Sequence, residues 1–175
     1  MNNLSFHITD ITANSIRANA SEIGLSVEEQ DTRIVIRITD NGSGMDAETA
    51  RRVTNPFYTT RTTRKVGLGL PFLIQNAEQT GGSVTLTSEP GKGTEVRAVF
   101  HSDHIDCPPW GDLPGTVALL ITGNPEINVC FEYRSGETGY SISTNEIKEI
   151  LDGVPLSYPK VMLLIKERIK ENIRS

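Results

Sequence analysis

Ile23, Leu25 and Val27 alternate with polar residues, and Ile34, Ile36 and Ile38 do so again after the polar turn Glu29-Gln30-Asp31-Thr32. Period-two alternation with one apolar side constrains this stretch to an antiparallel hairpin buried on one face. Before it, Ser5 to Ala20 holds no glycine or proline and sets Ile8, Ile11, Ser15 and Ala18 at helical spacing. That predicts an amphipathic helix with Asp10 and Asn14 one turn apart on a shared face. After it, Asp46 is placed to cap a short helix to Val53, and residues 55–66 carry Thr and Arg without periodicity, as a mobile loop does. Pro71 suits the first turn of a helix ending at about Thr80, before Gly81-Gly82. A second hairpin is expected from Val84–Thr87 and Val96–Phe100, joined by Glu89-Pro90-Gly91-Lys92-Gly93.

Helix, two strands, short helix, loop, helix and two strands pack as helices on one face of a mixed, mostly antiparallel sheet, an α+β arrangement. Residues 102–115 shift to Pro, Gly, Asp and His, which reads as a linker. Beyond it, Val117–Ile121, Asn128–Tyr133 and Tyr140–Ser143 read as strands, and Thr144 as the cap of a helix from Asn145 to Leu151. Ser157 and Pro159 open a last helix with a stripe of Val161, Leu164, Ile165, Arg168 and Ile169. The expected division is a domain over 1–100 and a small α/β extension over 101–175, too small to stand alone and so packed on or docked to the first.

The 175 residues are 37% hydrophobic and carry 17 basic against 22 acidic side chains, a net charge of −5. This suits a soluble protein and disfavours general nucleic-acid or anionic-membrane binding. No apolar run approaches the roughly 20 residues of a bilayer span and the start lacks a secretory pattern, so a cytoplasmic location with Cys107 and Cys130 reduced is expected.

The residue types between the elements suit a nucleotide. Asp40, at the end of a buried strand, can accept a hydrogen bond from an adenine amine, and Gly42 and Gly44 leave room for the ring. Gly67 and Gly69 precede a helix, where backbone amides and the positive helix end favour phosphate. Asn14 offers a neutral oxygen suited to Mg²⁺. Arg61, Arg64 and Lys65 lie on the loop that would close over the phosphates, with Phe57 as its packing anchor. A second cluster, His101, Asp103, His104, Asp106 and Cys107, has donor types that suit zinc or iron, although strand exits also use such residues in turn hydrogen bonds. Trp110 is read as buried where the two blocks meet, or else as an exposed partner anchor.

Taken in order, Asp10 with Asn14 resembles the N box, Asp40–Gly44 with Met45 the G1 box, Asn55–Arg61 the F box, Gly67-Leu68-Gly69-Leu70 the G2 box and Gly91–Thr94 the G3 turn of the histidine-kinase-like (GHKL) ATPases. The resemblance covers about residues 4–100 and is nearest to the sensor-kinase type. It implies the two-layer Bergerat α/β sandwich, ATP with Mg²⁺ as ligands, and Thr94 beside Asp40 near adenine. Many hydrolysing members place a Glu four residues before the metal-binding Asn. Here that place holds Asp10, a candidate general base one methylene shorter. The kinases' acceptor histidine lies on an upstream helical hairpin, whereas His7 lies on the nucleotide-binding helix, so phosphoryl transfer is expected to go to a partner protein. The expected role is an ATPase or kinase module in signalling or regulation. The alternatives are a non-catalytic nucleotide-sensing subunit and a protein serine kinase of the anti-sigma kind, with the mismatch-repair type a more distant third.

Overall fold

A computed structural model describes residues 3–55 and 69–173. The chain opens with α1 (Leu4–Arg17), followed by the hairpin β1 (Glu22–Gln30) and β2 (Arg33–Asp40) and by α2 (Ala47–Val53). After residues 56–68 come α3 (Gly69–Gln79), β3 (Ser83–Glu89) and β4 (Gly93–His101). The last part contains α4 (Leu113–Thr122), β5 (Asn128–Ser135), β6 (Thr138–Ser143), α5 (Thr144–Leu151) and α6 (Pro159–Asn172). One sheet holds the strands in the order β3-β4-β2-β1-β5-β6, antiparallel throughout except that β1 and β5 run parallel.

Alternation decides which face is buried. Leu25, Ile36, Val96, Ala98, Phe100 and Phe131 point into a single core, each at most 5% exposed, where α1, α3 and α4 cover them and α6 packs on α4. The residues between them, among them Ser26, Arg37, Thr39 and Glu132, line an open cleft of about 450 Å³ on the opposite face. The result is the two-layer, mostly antiparallel α+β sandwich that the sequence predicts. The strands of residues 101–175 continue the same sheet, through the β1–β5 pairing from Glu22↔Asn128 to Glu29↔Ser135. Cys107 and Cys130 are both free thiols. Among the described residues no helix is long and apolar enough to cross a membrane.

Four local expectations are corrected. Val117–Ile121 is not a strand but the body of α4, capped by the Asp112 carboxylate, which accepts from the Gly115 amide, with proline in the first turn. The topology demands this: β4 and β5 both run in the direction of β1, so the chain must return between them, and a helix crossing the apolar face does so. A short apolar run alone cannot distinguish the two. The cap of α5 is Ser143, in a capping box with Glu146, while the Thr144 hydroxyl accepts from the Val129 amide. Tyr158, not Ser157, precedes α6 and makes no side-chain cap, so Pro159 carries the start. The buried stripe of α6 is Val161, Ile165 and Ile169, and Leu164 is 65% exposed.

The segment before α4 is tied down at both ends. The first amides of α1, which have no partner within their own helix, donate outward: Leu4 N–H to the Pro109 carbonyl at 2.8 Å and Ser5 N–H to that of Trp110 at 3.0 Å. Half-buried Trp110 donates from Nε1 to Glu29 Oε2 at 2.6 Å, and the Tyr133 hydroxyl donates to Glu29 Oε1, also at 2.6 Å. One carboxylate thus holds β1, β5 and the connecting segment together. Glu29→Ala is expected to cost about 2–3 kcal/mol, since hydrogen bonds to a charged acceptor are worth more than neutral ones. Urea unfolding followed by Trp110 fluorescence measures it.

His7 is 2% exposed, and burial pushes its imidazole from an ordinary 6.5 down to about 4. Between those values the unfolded chain binds a proton that the folded chain refuses. The stability associated with the neutral ring is therefore full above pH 6.5 and is lost progressively as the pH falls toward 4. A His7→Phe variant is expected to show a flatter urea midpoint across that window than the wild type.

Candidate functional site

The end of β2 turns into a sharp, glycine-containing loop that passes under the C-terminal end of α1. Gly42 leaves no room for a side chain, since a Cβ there would fall 2.7 Å from that of Ala18. Gly44 adopts φ +72° against the Glu89 carbonyl. The two glycines therefore seat the loop on α1 and on the β3–β4 turn, and neither lines the cavity that the loop borders. Asp40 does line it. Its Oδ1 accepts from the Gly42 amide at 2.8 Å and its Oδ2 from the Ser15 hydroxyl at 2.6 Å. With one donor on each oxygen the carboxylate is held in a single orientation and keeps lone pairs for a further donor.

Thr94 stands opposite Asp40 in the β2–β4 register. Its hydroxyl lies 2.8 Å from that of Ser88, which accepts from the Met45 amide at 2.9 Å. Between these groups is a cavity of about 300 Å³ that Asn14, Asp40, Met45, Leu70 and Thr94 all line, with Ile11, Ile38 and Val96 adding apolar wall. An apolar slot with a few convergent polar groups at one end is suited to a flat heterocycle.

Asn14 and Arg17 also line the cavity, and Asn14 Oδ1 accepts a hydrogen bond from Arg17 Nη2. Asp10 lies one turn before Asn14 and against Gly69, the first described residue of α3, where an added Cβ would meet its Oδ2 at 2.9 Å. Burial raises the Asp10 carboxyl above its ordinary value, partly opposed by the Arg17 guanidinium. Phe57, Arg61, Arg64, Lys65, Gly67 and Leu68 fall outside the described residues.

Ser15 and Arg17 escaped the sequence reading as site residues. Ser15 is next in line to Asn14 and is buried, and Arg17 is one turn further along the same face. Their position on α1 was the available signal. Ser15→Ala is expected to cost about 1–2 kcal/mol, the worth of one charge-assisted hydrogen bond to Asp40. Urea unfolding reads it directly.

The second cluster does not assemble. Among the described residues no three His, Cys, Asp or Glu side chains are grouped to hold a metal ion. His104 Nδ1 accepts from the Asp106 amide at 3.0 Å, and the Cys107 thiol, pushed up by burial, donates to the Pro108 carbonyl. Turn hydrogen bonding accounts for both.

Several relatives are similar to part of the chain. A putative sensor protein of Shewanella frigidimarina is 32% identical over 97 residues, 53% of this chain and 15% of that protein. Sensor histidine kinase YxdK of Bacillus subtilis is 29% identical over 104 residues, 55% of this chain and 32% of that one. Sporulation kinase E of the same organism is 40% identical over 73 residues, 42% of this chain and 9% of the kinase. The chain thus spans less than a third of the length of each. Among solved structures, the N-terminal domain of a DNA repair protein superposes with a TM-score of 0.57 at 17% identity, covering 81% of this chain and 51% of that one, a likeness of fold. The family described as histidine kinase-, DNA gyrase B-, and HSP90-like ATPases matches residues 3–104, more than half of the chain. With its boxes in order and its sheet built as that resemblance implies, the chain belongs to the histidine-kinase-like ATPases.

Proposed function

We propose that the chain is a Mg·ATP-binding module that acts in signalling or regulation through a partner protein. The observation supporting this is convergence: Asn14 from α1, Asp40 from β2, Leu70 from α3 and Thr94 from β4 reach one cavity of about 300 Å³. Asp40 accepts from the adenine amine with Thr94 beside it, while Met45 and Leu70 cover the ring. Gly69 leaves the backbone open to phosphate, and Arg17 joins Asn14 at the phosphate end. The donor set fits the metal, since Asn14 presents a neutral oxygen at the cavity and Mg²⁺ takes few protein ligands. When bound there, the ion would offset the charge of the triphosphate. Phe57, Arg61, Arg64, Lys65, Gly67 and Leu68, which lie outside the described residues, belong to this reading by sequence alone.

Asp10, raised by burial and facing Gly69, is the group placed to take a proton from an attacking water or hydroxyl. The relatives named as sensor and sporulation kinases favour phosphoryl transfer to a protein acceptor. Titration of ATP with and without Mg²⁺ tests the site. Asn14→Ala should abolish the gain that Mg²⁺ brings while leaving adenine recognition intact. Unchanged Mg²⁺ dependence in that variant removes Asn14 from its role. Labelled ATP with a co-purified protein then separates the enzymes from the sensing subunit: transfer or hydrolysis lost in Asp10→Asn supports catalysis, and tight binding without turnover in the wild type supports sensing.

A further inference from the structure

Asp10 and Asn14 stand on α1, whereas Gly69 and Leu70 stand on α3, so the phosphate end of the site has the geometry of the contact between two helices. Apolar side chains make most such contacts and allow small slides and rotations at little cost, because dispersion is non-directional. This seam also contains a directional contact. His7, 2% exposed, and Asn76, 5% exposed, meet with His7 Nε2 2.7 Å from Asn76 Nδ2.

The surroundings are poor for a polar pair. Ring centroids of Phe72, Phe6 and Phe100 lie 5.3, 6.2 and 6.5 Å from that of His7. Its Nδ1 is buried and meets no hydrogen-bond partner among the described residues. If the Asn76 amide donates, the ring proton sits on that orphaned Nδ1. If the amide is turned about, Nε2–H donates to the carbonyl oxygen and Nδ1 is left bare. Either way a polar atom is desolvated where a phenylalanine or leucine would bury none. What the pair adds is direction, since a buried hydrogen bond selects one register over its neighbours.

The spacing points to what that register serves. Asn14 lies seven residues after His7, two turns along α1, and Gly69 lies seven residues before Asn76, two turns along α3. Between them Asp10 abuts Gly69. We infer that the His7–Asn76 hydrogen bond pins α1 against α3 and makes His7 a positioning residue for the phosphate end of the site. The pin sets the gap between Asp10 and Asn14 on one side and Gly69 and Leu70 on the other. This rests on the nucleotide reading above. The adenine end is held separately, by Ser15 and Gly42 on Asp40 and by Ser88 on Thr94, so loss of the pin acts on the triphosphate and not on the base.

The test compares affinities for AMP, ADP and ATP with Mg²⁺ by calorimetry in the full chain. His7→Phe keeps a ring and removes the bond, Asn76→Leu removes the other partner at similar volume, and His7→Gln keeps an amide near the position of Nε2. In variants that melt cooperatively, His7→Phe and Asn76→Leu are expected to bind AMP within about twofold of wild type. Their preference for ATP over AMP should fall about tenfold, and His7→Gln should recover most of it. If His7→Phe does not fold, Asn76→Leu and His7→Gln decide the matter between them. An unchanged ATP-to-AMP ratio in folded variants, or an equal loss for all three nucleotides, overturns the inference. If the wild type binds none of the three, the nucleotide reading falls and this inference with it.

Discussion

Asp40→Ala is expected to lower affinity for ATP by at least about a hundredfold, near 3 kcal/mol, while the protein still folds. In the proposed reading Asp40 is the charged acceptor for the base in an otherwise apolar slot, and a site built to pair a substrate amine loses much of its affinity once that acceptor is gone. The substitution also leaves the Ser15 hydroxyl and the Gly42 amide without their present acceptor, so about 1–2 kcal/mol of stability goes with it. Asp40→Asn is the sharper variant. It keeps the volume but turns one acceptor into a donor, which opposes the adenine amine and matches the guanine carbonyl. Titration with ATP and GTP should show the preference for adenine collapsing or reversing. Retention of full ATP affinity in both variants would falsify the assignment of Asp40 as the base reader.

Gly93→Ala is expected to be strongly damaging, at about 3–5 kcal/mol or outright loss of folding. Gly93 has φ +122°, a conformation that a side chain opposes, and an added Cβ would fall 2.0 Å from the Asp40 carbonyl oxygen and 2.9 Å from its carbon. Both obstacles are backbone, so relief requires β2 and β4 to separate where Asp40 faces Thr94. Thermal stability and nucleotide affinity should therefore fall together. Gly91→Ala in the same turn supplies the contrast: φ is +78° but nothing lies within 4 Å of the added carbon. It should cost only about 1–2 kcal/mol and leave affinity unchanged.

Local pattern carried much of the architecture. Ile23 to Val27 and Ile34 to Ile38 could be paired on paper because period-two alternation fixes both element and face, and Asp46 could be named as a cap because its carboxylate answers the Thr49 amide three residues on. Val117–Ile121 could not be read that way. Five apolar residues suit either a buried strand or a buried helix, and the choice fell to the parallel course of β4 and β5. Leu164 shows the same limit, since apolar character named it as core and the placement of α6 on α4 left it outside. Gly42 and Gly44 were legible as necessary glycines, but the backbone they give way to, Ala18 and Glu89, is distant in the chain.

By itself the order of residues determined most of the elements, because capping, turn chemistry and hydrophobic period act over a few residues, and it carried the boxes that resemble one family. Only the tertiary structure decided that β5 lies beside β1, that the Ser15 hydroxyl reaches Asp40, and that His7 meets Asn76. Those contacts join positions 25 to more than 100 residues apart, or depend on which way a helix is turned. Such separations are settled by burial of one shared core and by the satisfaction of polar groups within it, which no local stretch of sequence encodes.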